Sequence, residues 1–270
     1  KTKLLIVAAR FRGFDYPAMI DEIRADLPDL KHVLVVGGGD PDDSLDHLLA
    51  ADQPGEMPDL SGLRPSADDV TELMYTSGTT GQPKGVMHTS NTLLCKAILA
   101  QELFALSRDD VVFMGSPLAH QTGFMYAVVL SIFNHSKCVL LGVWNPAAAA
   151  QLIERERGTI TLGSTPFLSD LVEHPSVRDA DLRSLRLFLC AGAPIPRVLV
   201  QKSRAVHPQM HVMSAWGMTE MGIATATYPD DPEAKVIDTD GRALPHQQVR
   251  VVAEAGAVVP AGTEGRLQSR

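Results

Sequence analysis

The chain has 270 residues, enough to bury a large core in one big domain or two small ones. Its composition is ordinary for a soluble protein, at 45% hydrophobic and 21% charged, and a net charge of −8 argues against a nucleic-acid surface and for a small-molecule enzyme. The longest apolar run, around Phe124 to Phe133, is too short to span a bilayer, and no secretory signal opens the chain. Cys95, Cys138 and Cys190 are widely spaced and form no ligand cluster, so they read as buried thiols in a reducing cytosol.

In chain order, residues 3–9 read as a buried strand, 16–27 as an amphipathic helix closed by Leu27-Pro28-Asp29, and 31–36 as a second buried strand. Together they predict a parallel βαβ unit. Gly37-Gly38-Gly39-Asp40 lacks the dinucleotide spacing and reads as a turn. Residues 40–66 are rich in Asp, Pro and Gly and read as a surface excursion, with a short helix over 44–50. A strand is expected over 69–75, a glycine-rich loop over 75–85, and a helix from Thr89 or Ser90 to about Leu106. Further strands are expected at 110–115, 137–141, 159–162, 184–190 and 209–213, and helices at 124–134, 146–157, 166–174 and from Pro196 to Ala205. Ser214 to Glu220 is expected as a loop at a strand's carboxyl end. Beyond Ile237 the pattern turns to short hairpin strands with glycine turns and no further helix. The fold class is therefore α/β: doubly wound, mostly parallel sheets with flanking helices, plus the start of a small β-subdomain. Residues 1–232 form the α/β core, and 233–270 an incomplete β-subdomain.

The stretch Tyr75-Thr-Ser-Gly-Thr-Thr-Gly-Gln-Pro-Lys-Gly85 holds three glycines, four Ser/Thr hydroxyls and one lysine. Between a strand and a helix it suits a phosphate, because glycines let backbone N–H groups approach the anion and lysine supplies a point charge. The Walker pattern fails, since Pro83 precedes Lys84 and Gly85 follows it. Thr76 to Gly85 instead resembles the phosphate-binding loop of the adenylate-forming superfamily, which contains the acyl-CoA synthetases, peptide-synthetase adenylation domains and insect luciferases. The match is full at every defining position. Trp216-Gly-Met-Thr-Glu220 resembles that superfamily's aromatic-Gly-x-Thr-Glu motif, with Trp where Tyr is more frequent. Gly192-Ala193-Pro194 resembles its adenine-lining turn, and Pro117-Leu-Ala-His120-Gln-Thr-Gly123 the Pro-Leu-x-His-x-x-Gly segment of acyl- and aryl-CoA ligases. The latter wording is similar to that of cyclohexanecarboxylate-type CoA ligases.

The resemblance implies roles. Thr76, Ser77, Gly78, Thr79, Thr80, Gly81 and Lys84 would hold phosphate. Gly192, Ala193 and Pro194, with Ser214, Ala215, Trp216, Gly217 and Met218, would line the nucleotide. Thr219 would contact phosphate, Glu220 would hold Mg²⁺, and His120 would border the acyl pocket. Lys84, His120, Thr219 and Glu220 are the implied catalytic set. Met125, Gly163, Ser164, Gly217, Met218 and Gly222 are candidate pocket walls, and their small or apolar character suits a hydrophobic acid. No Asp occurs between Val111 and Leu141 to hold a substrate amine, which disfavours an amino-acid-activating domain. The implied reaction is attack of a carboxylate on Mg·ATP to give an acyl-adenylate, then transfer to coenzyme A.

The implied partners are the acid, ATP and CoA in a cytoplasmic setting, with no nucleic acid and no transmembrane segment. Self-association into a homo-oligomer stays open. Thr263-Glu-Gly-Arg-Leu267 matches a family segment after which further motifs and a C-terminal lid domain would follow. None can be placed here, so the chain is expected to be a central fragment, weakly active or inactive alone. A nucleotide-binding module without ligase activity, an amino-acid adenylation domain and a luciferase-like oxidation after adenylation remain the alternatives.

Overall fold

A computed structural model describes residues 1–51, 59–77 and 81–270. The chain divides into two units, Lys1–Arg64 and Pro65–Arg270. In the first, β1 (Leu4–Ala8) leads through a two-residue-strand hairpin, β2 (Arg10–Phe11) and β3 (Phe14–Asp15), into α1 (Tyr16–Ile23). Asp15 caps that helix by accepting from the Ala18 amide, and Pro17 in the first turn gives up no needed donor. β4 (His32–Val36) returns parallel to β1, the expected βαβ unit. Ser44 caps α2 (Leu45–Ala50).

The second unit opens with an antiparallel hairpin of β5 (Val70–Thr76) and β6 (Lys84–Thr89). This corrects the expected strand–loop–helix: the glycine-rich segment joins two paired strands, and Lys84 is the first residue of the second. The helix begins only at Ser90, where Thr89 and Thr92 form a capping box that starts α3 (Ser90–Leu103). After β7 (Val111–Met114) come α4 (Gln121–Gly123), a π-helical segment (Phe124–Val129) and α5 (Leu130–Asn134), where a single helix was expected. The chain continues through β8 (Lys137–Leu140), α6 (Pro146–Glu156), β9 (Ile160–Gly163), α7 (Thr165–Glu173), β10 (Leu187–Cys190), α8 (Arg197–Val206) and β11 (His211–Met218). It ends in β12 (Gly222–Ala226), α9 (Glu233–Asp238), β13 (Arg242–Ala243) and the antiparallel pair β14 (Val249–Val252) and β15 (Arg266–Ser269).

Seven strands make one sheet in the order β13-β12-β11-β10-β9-β7-β8. β11, β10, β9, β7 and β8 run parallel, while β12 and β13 close the far edge antiparallel. Strand residues alternate between two cores. Val112, Met114, Leu187, Leu189 and Met213 pack against α3 and the π-segment; Phe113, Phe188, Cys190 and Val212 pack against α6, α7 and α8. Burial on both faces explains why the parallel strands read as unbroken apolar runs. The sheet-bound chain carries on past residue 233: Val236 of α9 sits in the second core and β13 pairs with β12.

Two further expectations are corrected. Ser214 to Met218, expected as loop, belong to β11: Ser214 pairs with Cys190 of β10, and β12 folds back onto Ala215 to Met218 across a bulge between Trp216 and Gly217. Cys95 is exposed on α3, not buried; Cys138 is half-buried and Cys190 buried. Among the described residues no helix is long and apolar enough to cross a membrane.

Candidate active site

Chain order along the sheet reverses between β7 and β9: β8 lies beyond β7 on one side, and β10 and β11 follow β9 on the other. Crevices at such switch points, outside the carboxyl ends of parallel strands, are where doubly wound sheets bind ligands. A cleft of about 550 Å³ lies there. Its walls come from the carboxyl ends of β7 (Ser116, Pro117), β9 (Leu162, Gly163, Ser164), β10 (Leu189, Ala191, Gly192) and β11 (Gly217 to Glu220), with Thr76 at the end of β5. Five separate stretches of sequence therefore meet at one opening.

The hairpin of β5 and β6 reaches one edge of the cleft through Thr76. Thr76 lines the cleft and pairs with Lys84. Directly opposed residues of an antiparallel pair present their side chains on the same face, so Lys84 shares the face of Thr76. Lys84 is exposed, with no carboxylate partner among the described residues. Ser77 is exposed, and Gly81 adopts φ +83°, a left-handed conformation glycine takes without strain. Gly78, Thr79 and Thr80 lie outside the described residues.

His120 also lines the cleft. It caps α4, its Nδ1 accepting from the Thr122 amide at 3.2 Å, which leaves Nε2 without a partner among the described residues. The turn that presents it is tight: a Cβ on Gly123 would lie 2.2 Å from the Pro117 carbonyl oxygen. Behind His120 the wall becomes apolar, with Tyr126, Leu162, Phe167, Leu189 and Ile223. Ile223 is held twice. Its amide donates to the Tyr126 hydroxyl at 2.7 Å, and its carbonyl accepts from Lys96 Nζ at 3.4 Å. Burial pushes the Tyr126 phenol above its usual range and the Lys96 ammonium below its own. The hydroxyl accepts from Ile223 and the ammonium donates to it, so the two side chains hold one backbone segment from both its polar groups.

Met218 ends β11, and Thr219 and Glu220 form the turn into β12. Gly217 is required there, since a Cβ would stand 2.2 Å from the Gly222 carbonyl oxygen. Gly222 takes φ +62°, and its missing Cβ leaves room for the Tyr126 hydroxyl and Met125. Glu220 is exposed beside the cleft and has no hydrogen-bond or ion-pair partner among the described residues. A free carboxylate next to a hydroxyl fits Mg²⁺, which keeps several waters and takes one or two carboxylates plus substrate phosphates. No group of three or more His, Cys, Asp or Glu side chains among the described residues makes a protein-only metal cage, and magnesium does not need one.

The structure brings Thr76, His120, Gly192, Gly217, Met218, Thr219 and Glu220 to the cleft lining, together with the candidate walls Gly163, Ser164 and Gly222. The other described candidates lie outside that lining, Ser77, Gly81 and Lys84 among them. Ser214 and Ala215 are buried in β11, and the Ser214 hydroxyl donates to the Val236 carbonyl at 2.8 Å. Trp216 is half-buried opposite Thr225. Ala193 and Pro194 are exposed, with the Pro194 carbonyl accepting from Thr165 Oγ1 at 3.0 Å. Met125 is fully buried behind Gly222. Tyr126, Phe167, Leu189 and Ile223 were not singled out from sequence. Their signal was an apolar run or a helix start, which any core residue gives.

The profile of the AMP-binding enzyme family matches residues 1–270, and the chain belongs to that family. It is 36% identical over 203 residues to the medium-chain fatty-acid–CoA ligase of Escherichia coli (strain K12), covering 75% of this chain and 36% of the relative. It is 31% identical over 260 residues to the 3-[(3aS,4S,7aS)-7a-methyl-1,5-dioxo-octahydro-1H-inden-4-yl]propanoyl:CoA ligase of Rhodococcus jostii (strain RHA1), covering 93% of this chain and 50% of that protein. The chain thus spans about half or less of the length of these curated relatives. The fold is shared with the anthranilate CoA ligase AuaEII in complex with anthranoyl-AMP (TM-score 0.82, 24% identity, all of this chain and 51% of that one). It is shared too with ATP-bound MatB from Rhodopseudomonas palustris (TM-score 0.79, 24% identity, 99% of this chain and 50% of that one).

Proposed function

We propose that this chain carries the acid- and nucleotide-binding half of an ATP-dependent, AMP-forming acid–thiol ligase that activates a hydrophobic carboxylic acid. The observation that carries the reading is the single cleft in which Thr76, His120, Gly192 and the Thr219–Glu220 turn converge from separate parts of the chain. Family membership supports it, as do relatives named as CoA ligases of medium-chain and polycyclic acids.

A carboxylate is already a nucleophile, so the site needs no strong base. It needs charge stabilisation and in-line placement. The acid's apolar part lies against Tyr126, Phe167, Leu162 and Leu189, with its carboxylate toward His120. Lys84, a cation on the Thr76 face with no ion-pair partner among the described residues, draws the phosphates to the hairpin edge, and the Thr219 hydroxyl donates to them. The carboxylate oxygen bonds to the α-phosphorus as the bond to the pyrophosphate oxygen breaks, giving an acyl-adenylate and pyrophosphate. Glu220 would hold Mg²⁺, whose charge offsets that of the phosphates. Coenzyme A is the proposed thiol acceptor in the second half-reaction, with displacement of AMP. The absence of an Asp in residues 112–140 favours acids without an α-amino group.

Acid-dependent ATP–pyrophosphate exchange tests the reading, with a panel of medium-chain, alicyclic and aromatic acids. Exchange with a hydrophobic acid and not with amino acids is expected. ATP binding without exchange for any acid would favour a nucleotide-binding module instead.

A further inference from the structure

The phosphate hairpin is tied to both walls of the cleft at one cross-strand pair. Glu72 and His88 face each other across β5 and β6, in the same unbroken register that pairs Thr76 with Lys84. Glu72 Oε2 accepts from Gln121 Nε2 at 3.2 Å, next to His120. His88 is 2% exposed, its Nε2 standing 2.8 Å from the Thr219 carbonyl oxygen and its Nδ1 3.1 Å from Thr92 Oγ1. A carbonyl oxygen only accepts, so Nε2 carries the proton in this bond. Lys84, Val86 and His88 alternate onto one face of β6. The ring that grips the Thr219 backbone therefore stands on the same strand face as Lys84, two strand repeats away.

We propose that His88 is a positioning residue. Its Nε2–H···O=C bond sets the Thr219–Glu220 turn at a fixed distance from Lys84, so that ammonium, hydroxyl and carboxylate converge on one phosphate chain. The proposal rests on the nucleotide-binding part of the function above. Its reach is specific: the hydroxyl and carboxylate sit on a turn with no side-chain hydrogen bond of its own among the described residues, and a misplacement of about 1 Å is enough to cost on the order of 100-fold in such sites.

The test compares His88→Gln, whose amide nitrogen falls near the place of Nε2, with His88→Asn, whose amide falls near Nδ1, and with His88→Phe, which fills the volume without a donor. Isothermal titration with MgATP and, separately, with octanoate reads the two halves of the site. His88→Gln is expected to bind MgATP within about threefold of the parent, and His88→Asn and His88→Phe to lose about tenfold or more, while octanoate affinity stays within about twofold throughout. Should His88→Phe fail to fold, the Gln and Asn variants alone decide. Unchanged MgATP affinity in all variants would overturn the proposal, as would an equal loss in Gln and Asn. Loss of near-ultraviolet circular dichroism in all three would assign the ring to core stability and overturn it too. The expected affinity pattern without acid-dependent exchange would overturn the ligase reading while supporting the role of His88.

Discussion

The two sides of the cleft are built on opposite principles. On the apolar side both backbone polar groups of Ile223 are paired, the amide with Tyr126 and the carbonyl with Lys96, among buried apolar side chains. On the hairpin and the β11–β12 turn the charges stand free: Lys84 and Glu220 have no partner among the described residues. An apolar side with satisfied hydrogen bonds recognises shape and apolar area. An edge with unpaired charges waits for a ligand that brings the complementary ones, and it costs little stability to keep because both groups remain in water.

The largest expected effect would come from the free edge. Lys84→Ala should lower acid-dependent pyrophosphate exchange by about 100-fold or more, with a thermal midpoint within about 2 °C of the parent, as read by exchange assay and calorimetry. A large drop in stability would mean that Lys84 is structural and that the contrast between the two sides is false. The apolar side should respond in the reverse way. Tyr126→Phe leaves the Ile223 amide unsatisfied in a buried place, and should cost about 1–3 kcal/mol in denaturant unfolding, with a smaller change in exchange.

Phe167→Ala sharpens the comparison from the substrate side. Phe167 packs edge-on against Trp144, with ring centroids 4.3 Å apart, and its truncation widens the apolar wall. The KM for a small acid should rise about tenfold while the KM for ATP holds, measured by the same exchange assay. The smallest effect concerns a polar cluster away from the cleft. Burial raises the Asp110 carboxyl, but the Ser107 amide, the Thr159 hydroxyl and Arg186 together outweigh it and hold it below the usual carboxylate value. A depressed folded-state value means that the stabilisation is fully present above the unfolded value of about 4 and is lost as pH falls through the folded value. Unfolding scans below pH 4 should therefore show a steeper loss of stability in the parent than in Asp110→Asn, with exchange at neutral pH unchanged.

Legibility followed the range of the interactions. The parallel strands could be read because each is a short apolar run buried on both faces, and the helices because their caps are local: Thr89 with Thr92, Asn145 with Ala148, Asp15 with Ala18. The convergence of Thr76, His120, Gly192 and Thr219–Glu220 followed from placing each after a strand. The hairpin was missed because β6 runs without a turn signal straight into α3, so one continuous polar-to-apolar stretch hid a strand. Trp216 to Met218 were misread for a related reason: their strand character comes from pairing with β12, and a bulge interrupts the alternation. His88 left no trace in the sequence, since its partner is a backbone carbonyl 131 residues further on. Ser214 had a motif position but a structural use, donating to Val236 instead of facing the cleft.

The most direct test of the account is pyrophosphate exchange measured on this chain and on a C-terminally extended version, each with and without the Lys84→Ala substitution. The account predicts exchange that requires a hydrophobic carboxylic acid, follows the apolar size of that acid, and collapses in Lys84→Ala while ATP-independent acid binding persists. Tight ATP binding with no acid able to drive exchange in either version would contradict it.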